Sequence, residues 1–202
     1  MTGDRESSDS RSAPALPAAL AREYEVVKLL GEGSTARVYL ARQRSLGRPV
    51  ALKVIRRGTE EPLVRFHREA RLLASIDHPG IAPILDFGEA GGVIWLATEY
   101  YPGGTLAGRI AAGALAWPAV AEMGRDLADA LDTVHARGIL HRNVKPANIM
   151  IDGHGGAVLV DFGFALDQQE TRLTPAGVII ATIGYAAPEL LRGEETGART
   201  DT

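Results

Sequence analysis

His141-Arg142-Asn143-Val144-Lys145-Pro146-Ala147-Asn148 gathers an imidazole, two carboxamides and two cations into one short segment. Asn143 and Asn148 are the only asparagines in the 202-residue chain. Lys145 is one of three lysines among 22 basic residues, beside Lys28 and Lys53. Arginine offers a planar fork of donors and lysine a compact point charge, so a chain that otherwise uses arginine marks these positions by its choice. Taken alone, the segment also suits a turn after a helix, where asparagine serves local hydrogen bonding. Thirteen residues beyond Asn148 comes Asp161-Phe162-Gly163, at the end of an apolar run. By itself that tripeptide is common and uninformative.

Immediately upstream, Pro118 to Arg137 carries apolar residues at helical spacing, and Gly138 stops it. Tyr101-Pro102-Gly103-Gly104 is a break rich in residues with special backbone freedom and is taken as a domain boundary. Thr105 to Ala112 follows it as a short helix. Two strand-like runs, Asn148 to Ile151 and Ala157 to Val160, flank Gly153-His154-Gly155-Gly156.

Before the break the pattern is mostly strand. Tyr24 to Leu40 reads as strand, turn, strand, and the turn is Gly31-Glu32-Gly33-Ser34-Thr35-Ala36. Glycines there let backbone N–H groups approach phosphate oxygens, although an ordinary hairpin turn reads the same. A dinucleotide fingerprint would need a helix after the turn, and Ala36 to Leu40 reads as strand. Pro49 to Ile55 is a third strand. Its Lys53 sits among apolar residues and needs a partner or a ligand. Leu63 to Ile76 has the spacing of a helix and carries Glu69 as a candidate partner for Lys53. A snorkelling lysine and a solvated glutamate are the plainer alternative. Ile81 to Phe87 and Gly92 to Tyr100 are two more strands. Beyond Phe162 the chain reads as loop until Pro188-Glu189-Leu190-Leu191-Arg192-Gly193.

In order, the chain thus offers a Gly-rich hairpin, a strand lysine, a helix glutamate, H-R-x-x-K-x-x-N, D-F-G and then Ala187-Pro188-Glu189. This set resembles the catalytic domain of eukaryotic-like serine/threonine protein kinases of the bacterial type, over about Tyr24 to Thr202. The resemblance implies an α+β, bilobal protein-kinase-like fold. An antiparallel-sheet N-lobe would span 21–101 and a helical, incomplete C-lobe 102–202. It also implies phosphoryl transfer from ATP, with Mg²⁺, to a serine or threonine of a protein substrate.

By that resemblance Gly31 and Gly33 cover the ATP phosphates, and Val38 and Ala51 sandwich the adenine. Glu99, Tyr100 and Tyr101 form the hinge with Thr98 behind it, and Met150 belongs to the nucleotide-contacting set. Lys53 holds the α- and β-phosphates and pairs with Glu69. Asp161 and Asn148 hold Mg²⁺, and Lys145 neutralises the transferring phosphoryl. Arg142 receives an activation-segment phosphate, with Thr171 and Thr174 as candidate acceptors. Thr182 and Tyr185 shape the floor for a substrate peptide.

The sequence departs from the family in three places. Ala36 replaces the usual third glycine, a mild restriction on the hairpin. Asn143 stands where the family carries its catalytic aspartate. A carboxamide has no useful basicity, so it cannot take the substrate proton. Transfer is therefore expected to be impaired while nucleotide binding survives, and a pseudokinase acting as a nucleotide-binding scaffold is the alternative. Finally, Asp201 resembles the aspartate that opens the family's central C-lobe helix, and only Thr202 follows it. The chain is accordingly expected to be a truncated kinase domain with apolar surface left open on the underside of its large lobe.

Composition supplies the exclusions. Lys and Arg number 22 against 25 Asp and Glu, a net charge of −3, which argues against a nucleic-acid or polybasic membrane partner. Cysteine is absent, which removes disulfides and thiolate chemistry. The longest uncharged run, Leu173 to Pro188, is 16 residues and contains prolines, too short for a span of about 20. The start, MTGDRESSDS, lacks a signal pattern, so a cytoplasmic location is the default expectation. Residues 1–20 read as a disordered tail. The other histidines, His67, His78, His135 and His154, lack metal-ligand spacing and read as surface or turn residues. Trp95 and Trp117 read as core or groove packing.

Overall fold

β-Branched alternation builds the first layer. The computed structural model describes residues 16–33, 36–56, 63–162 and 184–202. Strands β1 (Tyr24–Glu32), β2 (Ala36–Gln43), β3 (Arg48–Arg56), β4 (Ile84–Ala90) and β5 (Val93–Glu99) form an antiparallel sheet in the order β1-β2-β3-β5-β4. On β3, Val50 and Leu52 are buried on one face, as the period of two requires. Ala51, Lys53 and Ile55 share the other.

Helix α2 (Leu63–Ala74) lies between β3 and β4 in the chain and buries Phe66, Ala70 and Leu73. The helical layer follows the Tyr101–Gly104 break. Helix α3 (Leu106–Ala112) is capped by Thr105, whose hydroxyl accepts the Gly108 N–H at 3.1 Å. Helix α4 (Trp117–His135) starts with Pro118 in its first turn and buries Ala130, Leu131 and Val134. The hairpin of β6 (Ile149–Ile151) and β7 (Ala157–Leu159) packs on it. A short helix α5 (Pro188–Arg192) ends on Gly193 at φ 69°, and a 3₁₀ turn covers Ala198–Asp201.

One apolar cluster runs from the sheet through α2 into the helical layer: Ile55, Phe66 and Leu73 above, Leu131, Val134, Leu159 and Phe162 below. The other lies on the far face of the sheet, around Tyr24, Tyr39, Leu52 and Trp95. The two layers are thus joined by continuous packing rather than by the break alone. Among the described residues no helix is long and apolar enough to cross a membrane.

The structure differs from the sequence reading at four points. Disorder does not run to residue 20: helix α1 (Ala18–Glu23) is formed, and Leu20 is buried in the far-face cluster with Leu16 packed beside it. An i, i+4 leucine pair inside an Ala/Pro-rich stretch is enough to fold that segment onto the sheet. Second, the strand expected at Ile81 begins only at Ile84. Gly80, Ile81 and Ala82 pair instead with Leu159, two of them through backbone bonds of 2.8 and 2.9 Å, and Pro83 has no N–H for a ladder. Third, Trp117 is 79% exposed and is not core, whereas Trp95 is buried. Fourth, His135 is no surface residue: its ring is bonded to Asp201. His78 stands at a turn, as the sequence reading has it, where it bonds Asp129 at 3.0 Å and accepts the Gly80 N–H. Thr171, Thr174, Thr182 and Gly163 lie outside the described residues.

Candidate functional site

Cross-strand register assembles the upper wall of a cleft. Val38 and Leu96 stand opposite Lys53 on either side, and Leu40 and Thr98 stand opposite Ala51. With Leu30 and Gly31 from β1, the break residues Glu99, Tyr100 and Tyr101, and Met150 from β6, Val38, Ala51, Lys53, Leu96 and Thr98 line a cleft of about 350 Å³. Val160 and Asp161 line it as well. Lys53 Nζ lies 3.5 Å from Asp161 Oδ1, with the lysine side chain 11% and the aspartate side chain 34% exposed. The partial shelter on the lysine side strengthens the pair modestly relative to one in open water.

Gly33, Glu69, Asn143, Lys145 and Asn148 do not line the cleft. Gly33 closes the β1–β2 hairpin, donating its N–H to the Ala36 carbonyl at 2.8 Å. Glu69 is half-buried on the α2 face shared with Phe66, Ala70 and Leu73. Tyr185 is 59% exposed near α5.

The segment 141–148 is held by backbone chemistry. His141 is fully buried. Its Nε2 donates to the Val160 carbonyl at 3.0 Å, and its Nδ1 accepts the Asn143 N–H at 3.3 Å. These two bonds fix a neutral ring, and burial pushes its pKa below the usual histidine value. The ring sits 4.5 Å from that of Phe162. Arg142 adopts φ 61°, a costly left-handed backbone for a residue with a Cβ. What holds it is Asp201, 4% exposed. Its Oδ1 accepts the Arg142 N–H, and its Oδ2 accepts the His141 N–H at 2.7 Å and the His135 Nε2–H at 2.8 Å.

Asn148 donates from Nδ2 to the Asn143 carbonyl at 2.8 Å. That bond orients the carboxamide and leaves Oδ1 as an acceptor. The Asn148 carbonyl accepts the Val160 N–H at 3.0 Å, which ties this segment to the strand leading into Asp161. Asp161 itself has φ 58°, a second left-handed residue at the site. At the break, the Tyr101 hydroxyl donates to Glu99 Oε2 at 3.1 Å. Burial, then the Glu99 carboxylate, push the phenol pKa well up, so it stays a donor.

The arrangement has a defined chemical capacity. Apolar walls accept a flat ring system, and the exposed backbone at the break offers it hydrogen bonds. An ammonium beside a carboxylate suits a phosphate group and a hard cation together. A carboxylate and a carboxamide oxygen are ligands of the kind Mg²⁺ prefers. Leu30, Leu96, Gly104, Thr105 and Val160 also line the cleft and were not singled out from sequence. Leu96 was within reach by alternation along β5, facing Lys53 across the ladder. His135 carried no local signal.

The sequence pattern of the protein kinase domain matches residues 24–202. The serine/threonine-protein kinase PknJ of Mycobacterium tuberculosis is 36% identical over 185 residues, which cover 88% of this chain and 31% of that protein. The DNA damage-responsive serine/threonine-protein kinase RqkA of Deinococcus radiodurans is 41% identical over 192 residues, covering 90% of this chain and 28% of that protein. Among solved structures, Rad53 1–466 in complex with AMP-PNP superposes with a TM-score of 0.71 at 28% identity, over 86% of this chain and 43% of that one. The chain spans less than a third of the length of these two curated relatives.

Proposed function

The chain belongs to the protein kinase family, and from that premise we propose that it binds ATP with Mg²⁺ and transfers the γ-phosphoryl to serine or threonine of a protein, at a rate held down by Asn143. The observation that carries the reading is the Lys53–Asp161 pair, 3.5 Å apart and lining an apolar-walled cleft beside the break. In this reading Val38, Ala51 and Met150 receive the adenine, and the backbone of Glu99 and Tyr101 reads its edge. Lys53 engages phosphate oxygens, with Glu69 on the facing helix as its positioning partner, and Gly31 and Gly33 let the hairpin approach the phosphates.

Asp161 and Asn148 fit a magnesium ion by their donor atoms, and the bond from Asn148 Nδ2 to Asn143 leaves Oδ1 available. Mg²⁺, when bound, neutralises phosphate charge. Lys145 would add a fixed positive charge near the transferring group. The sheltered cleft limits competition from water.

Asn143 is the weak point. Its carboxamide can orient a substrate hydroxyl but cannot accept its proton, and general-base help contributes about 10²- to 10⁴-fold in typical enzymes. Phosphoryl transfer relies mainly on positioning and charge, so a slow residual reaction is consistent with the rest of the site. The test combines nucleotide binding with transfer. Unfolding with and without Mg-ATP should show a stabilisation of about 2.7 kcal/mol at a hundredfold excess over Kd, lost in Asp161→Ala. Asn143→Asp should raise transfer to a serine-containing protein at least a hundredfold. Nucleotide binding with no gain in Asn143→Asp would favour a scaffold instead, and no binding would sink the proposal.

A further inference from the structure

Two side chains at the break are joined across the residue between them. Glu99 ends β5, and Tyr101 lies two positions on, where extended chain carries both side chains on one side. The Tyr101 hydroxyl donates to Glu99 Oε2 at 3.1 Å, so the bond closes a cycle that spans Tyr100. Burial, then Glu99, then Asp152 raise the phenol pKa, which keeps this donor in place. Tyr101 is half-buried and lines the cleft together with Glu99 and Tyr100. A phenylalanine would fill the same space, so what the tyrosine adds is the hydroxyl.

The cycle acts on the backbone. Peptide units are rigid planes, so only the φ and ψ of Tyr100 set how the Glu99 carbonyl stands to the Tyr101 N–H. The side-chain bond restrains those two torsions, which a chain leaving a sheet would otherwise be free to vary. Among the described residues the Tyr101 N–H has no acceptor in the protein. A sheltered backbone donor of this kind calls for a partner, and a ligand in the cleft can supply one. A carbonyl followed by an N–H matches the edge of a 6-aminopurine, whose substituent donates and whose neighbouring ring nitrogen accepts. A 6-oxopurine presents the reverse order. Against a rigid backbone pair it sets acceptor on acceptor and donor on donor, and a polar site rejects an analogue by leaving such groups unpaired. A backbone free to turn at Tyr100 would escape the mismatch.

We propose that Tyr101 is a positioning residue for base selection: its hydroxyl, bonded to the Glu99 carboxylate, holds the 99–101 backbone in the order that accepts a 6-aminopurine and refuses a 6-oxopurine. The proposal rests on the nucleotide reading above and adds to it a side-chain device for choosing the base. The hydroxyl is committed to Glu99 and works through the backbone rather than by touching the base. Asn143 has no part in it, so base selection is independent of how fast the chain transfers phosphate.

The experiment titrates the full chain with ADP and with inosine diphosphate, each with Mg²⁺, by calorimetry. The two ligands share their phosphate end, so the ratio of their dissociation constants isolates the base. In Tyr101→Phe the ADP constant should rise about three- to tenfold, the scale of one hydrogen bond, while that of inosine diphosphate stays nearly level, so the ratio falls. Glu99→Ala should repeat the effect. Glu99→Gln keeps an oxygen for the phenol to bond and should retain most of the parent ratio. In the ligand-free chain, amide exchange at Tyr100 and Tyr101 should quicken in Tyr101→Phe, which reads the tether without any nucleotide. An unchanged ratio in Tyr101→Phe, or equal weakening of both ligands, would overturn the proposal and leave the nucleotide reading standing. A parent chain that binds neither ligand would overturn both.

Discussion

Replacing Asp201 should unlatch the segment 141–148. In Asp201→Ala, two backbone N–H groups, of His141 and Arg142, and the His135 Nε2–H lose their acceptor at once. Each donor left without a partner in a buried setting costs about 1–3 kcal/mol, so the loss should be about 3–9 kcal/mol. Asp201→Asn is the sharper perturbation, because it keeps the shape. Both carboxylate oxygens now accept, whereas a carboxamide has one oxygen and an NH₂ that would face a donor whichever way it turned. It should cost about 2–4 kcal/mol, a large part of a stability of about 5–15 kcal/mol. Urea unfolding followed by the fluorescence of buried Trp95, with Trp117 replaced by Phe in every variant, measures both. Hydrogen exchange at residues 141–143 should accelerate in parallel. If Asp201→Asn unfolds within about 0.5 kcal/mol of the parent, the reasoning is refuted, because the three bonds would then be interchangeable with water.

Three further outcomes follow from the same structure. His141 is buried neutral with its pKa lowered by burial, so the unfolded chain binds its proton first. Stability should be level above about pH 6.5 and fall below it by up to about 1.4 kcal/mol per pH unit, a slope that His141→Gln should reduce between pH 6.5 and 5.5. At Gly103 an added Cβ would collide with the Ile151 carbonyl oxygen. Gly103→Ala should therefore cost about 1–3 kcal/mol in a denaturant titration, against a negligible change for Gly153→Ala, where nothing stands near. Leu20→Ala should cost about 2–5 kcal/mol as a core truncation. An unchanged thermal midpoint in that variant would return α1 to the status of a loose tail.

What could be read from the sequence was carried by local order. Lys53 stands out as a lysine in an apolar strand, whereas Ala51, Asn148 and Asp161 take their place only through the resemblance that the whole motif series carries, so the cleft was an expectation of that resemblance. Contacts between residues far apart in sequence could not be read. His135 meets Asp201 across 66 positions, and nothing near either residue signals the other. Composition misled at Leu16 and Leu20, because alanine and proline around them look like linker while the two leucines carry the burial. The apolar run at Ile81 looked like strand because side-chain pattern does not register that Pro83 lacks a donor. Trp117 shows the reverse error: an amphipathic helix reveals its period but not whether its first turn extends past the core.

The break between the layers is also a mechanical element. The Glu99 N–H reaches the Pro83 carbonyl at 3.4 Å, which ties Glu99 to the sheet side, and the Gly104 carbonyl accepts the Ile151 N–H at 2.9 Å, which ties Gly104 to the helical side. Only residues 100–103 lie between these fixed points. Pro102 has a locked φ, Gly103 is pressed on Ile151, and Tyr101 is tethered to Glu99 by its hydroxyl. The torsions left free between these anchors are few and lie around Tyr100, so the break itself has the stiffness of a pin rather than the slack of a strap. Glu99 and Tyr101 sit on either side of that pin. A planar ligand bonded to the backbone of both would act as a splint, setting the angle at which the cleft stands open.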